Sequence, residues 1–238
     1  MARRFVAEGA QVMLHGLEEE KLGIALVSEF NGAADLVLAD LADVEAPAKL
    51  VESTVRAFGK LDAVVNNAAM VVRGRIENSD AAFFDKIMHV NVRAPYLLIQ
   101  ASLPHLQATH GCVLNIGSVN AYSGEENLLP YSISKGALMT LSRNLGDTLP
   151  RSHGVRVNQI NPGWVLTENE RIRKQVEGMA EDWPAQLPKL FAPSGRLFKP
   201  EEIAAAAVYF LSDACGPISG QVLDIEQHPF IGRNPPKL

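Results

Sequence analysis

The sequence predicts a doubly wound α/β domain, a parallel sheet with helices on both of its faces. Three observations predict it. Short apolar runs rich in β-branched residues recur along the chain. Helical stretches with apolar residues at i, i+3 and i+4 spacing separate them. Polar clusters stand directly after several of the runs, where the carboxyl edge of a parallel sheet would lie.

The runs fall at residues 11–15, 35–39, 61–65, 112–116, 155–160 and 221–225. Between the second and third, residues 46–58 place Leu50, Val51, Thr54, Val55 and Phe58 on one helical face. Residues 81–106 form a helical stretch long enough to carry two functions along its length. A further helix is expected over 129–148, and another starts near Pro200-Glu201-Glu202. Such alternation implies right-handed βαβ crossovers. The segment after Asn161-Pro162-Gly163 interrupts the pattern, with Pro184, Pro188 and Pro193 marking it. It reads either as a lid over a ligand or as a surface excursion. The whole of 1–238 is expected to be one domain, with 164–199 as the substrate-loop region. Residues 227–238 form a tail that frays or packs on a neighbouring subunit.

Composition narrows the class. Hydrophobic residues make up 47% and charged residues 21%, an ordinary globular balance. The net charge of −5 offers no basic patch for a nucleic-acid backbone. No apolar run reaches the ~18 residues of a membrane span, and the N-terminus has no signal-peptide pattern. Cys112 and Cys215 stand far apart in apolar contexts, which fits buried thiols in a cytoplasmic protein. No His, Cys, Asp and Glu cluster has metal-ligand spacing, so no metal is expected.

The sharpest chemical signal is Ser118 followed by Tyr131-Ser132-Ile133-Ser134-Lys135, with Asn91 upstream. Tyr131 and Lys135 lie four apart in a helical segment and leave the same face. A free tyrosine titrates near ~10, too high for acid–base work at neutral pH. A neighbouring ammonium favours the phenolate. Ser118 ends the run 112–116 at the sheet's carboxyl edge. A Tyr-x-x-x-Lys pair alone is common on helix surfaces, and its company gives it weight. Asn66-Asn67-Ala68-Ala69 follows the run at 61–65. Asn91 sits within His89-Val90-Asn91-Val92-Arg93-Ala94-Pro95, where asparagine is unfavourable by helix propensity. Asn161-Pro162-Gly163-Trp164-Val165-Leu166-Thr167 follows the run at 155–160.

This ordered set resembles the short-chain dehydrogenase/reductase family over nearly the whole chain. The resemblance implies a Rossmann-like fold and hydride transfer between a nicotinamide cofactor and a secondary alcohol or ketone. Tyr131 would be the general acid/base. Lys135 would tune it and donate to the nicotinamide ribose. Ser118 would hydrogen-bond the substrate oxygen, and Asn91 would hold a water in the proton relay. Asn67 and Ala68 would line the cofactor, Asp40 and Leu41 would flank the adenine, and Val165 and Thr167 would fix the carboxamide. Simpler readings coexist with these: Asn66 and Asn67 as strand-ending residues, and Asp40 or Asp43 as a helix cap. A homotetramer or homodimer packed through the long helices is also implied.

The family begins with a strand and a Thr-Gly-x-x-x-Gly-x-Gly turn, whereas Met1–Ala10 correspond to the later part of its first helix. The first strand and glycine-rich loop are therefore expected to be missing, either because the start is truncated or misassigned or because the short form is real. The loss would remove the pyrophosphate cradle and leave facing strand edges unpaired. The rival reading is accordingly a catalytically silent binding or scaffold protein. Ala69 stands where the family more often has glycine. His15-Gly16-Leu17 at the end of the first run has neither a basic fork nor an acidic residue, and Glu18-Glu19-Glu20 follows. That tilts the cofactor toward NAD(H) over NADP(H). Arg73, Glu125, Glu126 and Asn127 would form a polar wall suited to a polar or sugar-like substrate.

Overall fold

The computed structural model describes residues 1–18 and 20–228. A short helix α1 (Ala2–Ala7) leads into β1 (Val12–Gly16), α2 (Glu20–Glu29) and β2 (Ala34–Leu38). Then come α3 (Ala46–Phe58), β3 (Ala63–Asn66), α4 (Ala81–Met88) and α5 (Ala94–Thr109). The second half holds β4 (Cys112–Ile116), α6 (Leu129–His153), β5 (Arg156–Pro162), α7 (Glu168–Val176), α8 (Pro200–Leu211) and β6 (Val222–Ile225). Every strand pairing is parallel. The strands nonetheless form two sheets: β1 pairs with β2, and β3-β4-β5-β6 form the larger one. β1 and β3 are not hydrogen-bonded to each other, a division where the sequence reading expects facing strand edges.

The larger sheet is covered on both faces. All five residues of β4 are buried, so it reads in the sequence as a continuous run rather than an alternating one. Val113 turns toward a core with Val51, Ile99, Leu106 and Val157, supplied by α3, α5 and β5. Leu114 and Ile116 turn the other way, toward Ile160 and toward Ile203, Ala207 and Phe210 of α8. Each such side chain taken out of water contributes roughly 1.5–3 kcal/mol.

Local chemistry sets the helix ends. The Asp80 carboxylate accepts from the Phe83 N–H to start α4. Gly59 and Gly154 end α3 and α6 with φ of 78° and 68°, the left-handed region that glycine enters without penalty. Where the sequence predicts one helix over 81–106, the structure places a π-turn, His89–Arg93, between α4 and α5. Pro95 explains it, because proline carries no N–H to return to the carbonyl of Asn91 four residues back. The interrupted region after Gly163 is partly helical: α7 lies within it. The helix contains no large apolar residue on its covered face, so apolar spacing could not reveal it.

Candidate active site

Four side chains converge between the ends of β3, β4 and β5 and the first turns of α6. Tyr131 is buried, and the Ser118 side chain acts on its phenol. Burial pushes the phenol above its ordinary range, while the Ser118 hydrogen bond and the Arg173 charge pull it down and Glu125 pushes it up. The sequence reading expects Lys135 to bring the phenol down; instead burial holds it raised, and the influences that lower it are Ser118 and the Arg173 charge of α7. Lys135 Nζ lies 5.7 Å from the Tyr131 ring centroid and donates to the Ile116 carbonyl at 2.7 Å. Desolvation lowers this lysine to about 8, so a modest rise in pH discharges it.

Asn91 is held in the π-turn with its side chain fully engaged. Its Oδ1 accepts from Met70 N at 2.7 Å, and its Nδ2 donates to Met70 O and to Ser134 Oγ, both at 3.0 Å. It thereby ties the segment after β3 to α6, one residue from Lys135.

Ser118 is positioned through its backbone. Its N–H donates to Asn161 Oδ1 at 3.1 Å, and its hydroxyl accepts from Asn120 N at 3.2 Å. Asn161 belongs to a buried polar chain that sequence reasoning missed. Asn66 Nδ2 donates to Asn115 Oδ1 (2.7 Å), and Asn115 Nδ2 donates to Ser142 Oγ (2.8 Å). Ser142 Oγ lies 2.7 Å from Gln159 Oε1, Gln159 Nε2 donates to Asn161 Oδ1 (2.7 Å), and Asn161 Nδ2 donates to Asp224 (2.9 Å). The chain crosses β3, β4, β5 and β6 and locks the rotamers around Ser118. The available signal was the polar residues Asn115, Gln159 and Asn161 inside otherwise apolar strands, since buried amides persist only when paired.

The expected cofactor contacts are placed more loosely. Asn67 and Ala68 are exposed beyond the end of β3. Asp40 Oδ1 accepts from Ala42 N at 2.8 Å in a turn ahead of α3, and it does not cap that helix. Leu41 beside it is half-buried. Val165 bridges to Phe198, and Thr167 caps α7 by accepting from Glu170 N at 3.1 Å. His15 Nε2 lies 2.8 Å from the Ala39 carbonyl. Glu19 and residues 229–238, which include most of the expected tail, lie outside the described residues.

The arrangement suits a nicotinamide at one end. Lys135 is a buried cation whose one hydrogen-bond acceptor among the described residues, Ile116 O, leaves hydrogens for a further acceptor such as a ribose hydroxyl. Among the described residues no cluster of His, Cys, Asp and Glu could hold a metal ion. None of the described helices is long and apolar enough to cross a membrane.

Comparison with known proteins bears on the family and the fold. The family model described as enoyl-(acyl carrier protein) reductase matches residues 1–227. An uncharacterized oxidoreductase of Thermotoga maritima is 34% identical over 229 residues, covering 93% of this chain and 88% of its own. The L-fucose dehydrogenase of Bos taurus is 35% identical over 218 residues, 90% of this chain and 78% of its own. A solved structure of a short-chain oxidoreductase from Pseudomonas aeruginosa PAO1, with NADPH bound and an atypical catalytic center, superimposes with a TM-score of 0.85 at 23% identity. It covers 95% of this chain and 91% of that one, and at this identity it speaks to the fold.

Proposed function

The chain belongs to the short-chain dehydrogenase/reductase family of oxidoreductases, and from that premise we propose that it interconverts a secondary alcohol and its ketone with NAD(H) or NADP(H). The observation that carries the reading is the buried Tyr131 with the buried Lys135 ammonium 5.7 Å from its ring centroid and Ser118 acting on its phenol. The bound nicotinamide supplies the hydride acceptor or donor, and the protein supplies geometry and the proton path. Ser118 holds the substrate oxygen. In the oxidative direction the Tyr131 oxygen takes the hydroxyl proton as the carbon gives up hydride; in the reductive direction it returns that proton.

Lys135 is the next proton carrier, because desolvation leaves it able to gain or lose a proton near neutral pH. A relay water would meet Asn91 through its main-chain carbonyl: the side chain is committed to Met70 and Ser134, and Pro95 offers that carbonyl no N–H. Asn67 and Ala68 are assigned to line the cofactor, Asp40 and Leu41 to its adenine end, and Val165 and Thr167 to its carboxamide. NAD(H) is favoured over NADP(H) because β1 ends in His15-Gly16-Leu17, which lacks the arginine that pairs with the extra phosphate.

A polar or sugar-like substrate is in keeping with the polar residues Arg73, Glu125, Glu126 and Asn127 on the segments flanking the site, and the bovine relative is named for a sugar. The test is titration of the purified chain with NADH and NADPH by nicotinamide fluorescence, followed by alcohol oxidation with wild type and Tyr131→Phe. Saturable micromolar binding and a rate lost in the variant support the reading. A Tyr131→Phe enzyme with undiminished turnover would remove Tyr131 from the mechanism.

A further inference from the structure

Asp224, on β6, holds the turn that carries Ser118 from both ends. Its Oδ1 accepts from Asn161 Nδ2 at 2.9 Å, and its Oδ2 accepts from the Tyr122 hydroxyl at 3.1 Å. Asn161 Oδ1 in turn accepts the Ser118 N–H, where the turn begins. Tyr122 stands where it ends: Ser118 caps the short 3₁₀ turn Val119–Ala121, and Tyr122 follows it. Ala121 N closes the turn on Ser118 O at 3.0 Å, and Tyr122 N closes it on Val119 O at 3.3 Å. One carboxylate thus gives an oxygen to each end. Asn161 is fully buried whereas Tyr122 is 40% exposed, so the Asn161 arm is the stronger of the two.

The same carboxylate sets the sense of the buried amide chain. A side-chain amide donates from one end and accepts at the other, so a row of amides can run in either sense. An ionised carboxylate only accepts. Every link here runs toward Asp224: Asn66 donates to Asn115, Asn115 to Ser142, Ser142 to Gln159, Gln159 to Asn161, and Asn161 to Asp224. Asp224 is the one charged group on this chain, and its bond to Asn161 is of the stronger, charge-assisted kind. With its amide nitrogen turned to Asp224, Asn161 presents Oδ1 to Gln159 Nε2 and to Ser118 N. In the opposite sense it would set an amide nitrogen against the Ser118 N–H, donor against donor.

The sheet itself does not depend on this carboxylate. Asn161 and Asp224 are register partners in the parallel β5–β6 ladder, flanked by the pairs Ile160 with Leu223 and Pro162 with Ile225. Main-chain pairing therefore places β6, and the side chain at 224 is left to act on what lies beside it.

We propose that Asp224 is a positioning residue for the reaction: its carboxylate fixes the sense of the amide chain and, through Asn161 and Tyr122, aims the Ser118 hydroxyl at the substrate oxygen. The inference rests on the hydride-transfer reading and adds to it a residue that acts through another. Misdirection of a group that holds the reacting oxygen is felt in turnover more than in binding.

The test measures kcat, KM and cofactor affinity on the best substrate of a panel of secondary alcohols running from isopropanol to sorbitol. Asp224→Leu is expected to lower kcat about 10- to 100-fold while KM and cofactor affinity stay within about 2-fold of wild type. Asp224→Asn can still accept from Asn161 but lacks the charge, and should lose only about 5-fold. Tyr122→Phe, which removes the weaker arm, should lose less than Asp224→Leu. In an Asn161→Leu background the main arm is already gone, so adding Asp224→Leu should cost less than about 3-fold more. Should Asp224→Leu fail to fold, Asp224→Asn alone and on Asn161→Leu carries the comparison. Wild-type kcat in the Asp224 variants overturns the inference. So does a full loss repeated in the Asn161→Leu background, or a loss confined to KM or cofactor affinity; each leaves hydride transfer standing. Absence of cofactor binding and of turnover on every alcohol by the wild-type chain overturns both readings.

Discussion

Asn161 Oδ1 accepts from the backbone N–H of Ser118 at 3.1 Å while also taking Gln159 Nε2 at 2.7 Å. A side chain of β5 thus fixes the backbone of a residue that follows β4, and the Ser118 hydroxyl inherits its direction from that bond. Replacing Asn161 by Leu should lower kcat about 10- to 100-fold with a smaller change in KM, since a catalytic group loses its orientation. The variant should also lose about 1–3 kcal/mol of stability, because the Asp224 and Gln159 partners are left unpaired. Steady-state kinetics and a denaturant melt read the two effects separately.

Gly117 leaves no room beside this junction. A Cβ there would lie 2.0 Å from Asn161 Oδ1 and 2.3 Å from Gln159 Nε2. Gly117→Ala is expected to cost about 1–3 kcal/mol by overpacking and to reduce turnover by displacing Ser118. An alanine variant with wild-type melting temperature and rate would show that the amide chain can shift freely.

Pro95 creates the break that holds Asn91. Pro95→Ala supplies an N–H for the Asn91 carbonyl and allows α4 and α5 to run on as one helix. Stability should be unchanged or raised, and kcat should fall about 10-fold if that carbonyl serves the proton relay. Equal kcat in the two proteins would take the carbonyl out of the relay.

Lys135 couples stability to pH. Its folded pKa, about 8, lies below the ordinary lysine value of 10.5. Between these values the unfolded chain holds more protons than the folded one, so stability rises with pH from about 8 to 10.5 and the burial cost is fullest below 8. Lys135→Met should therefore gain on wild type by about 2–3 kcal/mol at neutral pH, less the cost of orphaning the Ile116 carbonyl, and should lose that advantage toward pH 10. Its cofactor affinity and rate should both fall. Chemical denaturation at pH 7 and pH 10 measures the convergence, and parallel curves would contradict it.

Both tryptophans of the chain, Trp164 and Trp183, stack at 5.5 Å in the segment around α7. Glu177→Gln weakens its pairs with Arg73 and Lys174 and should loosen this segment, read as a change in intrinsic fluorescence and in its salt dependence. Fluorescence identical to wild type at low and high salt would show that the pairs do not hold the segment.

The sequence by itself determined the doubly wound class and the order of strands and helices, because hydrophobic periodicity is a local consequence of which faces are buried. Residues 46–58 and 112–116 match α3 and β4 to the residue. It also offered Asn91, Ser118, Tyr131 and Lys135 as one set, through the family resemblance that their order and spacing carry. Tertiary structure decided what spacing cannot encode. The Asn91 side chain finds its partners only across the fold, in Met70 and in Ser134 of α6. The amide chain from Asn66 to Asp224 joins residues up to 158 positions apart in sequence, which meet only when strands line up in register. Helix α7 carries no apolar stripe toward the protein, and Glu177 at its end is met by Arg73, 104 positions away. That ion pair forms only when the two segments meet in the fold, and no local pattern in the chain records it.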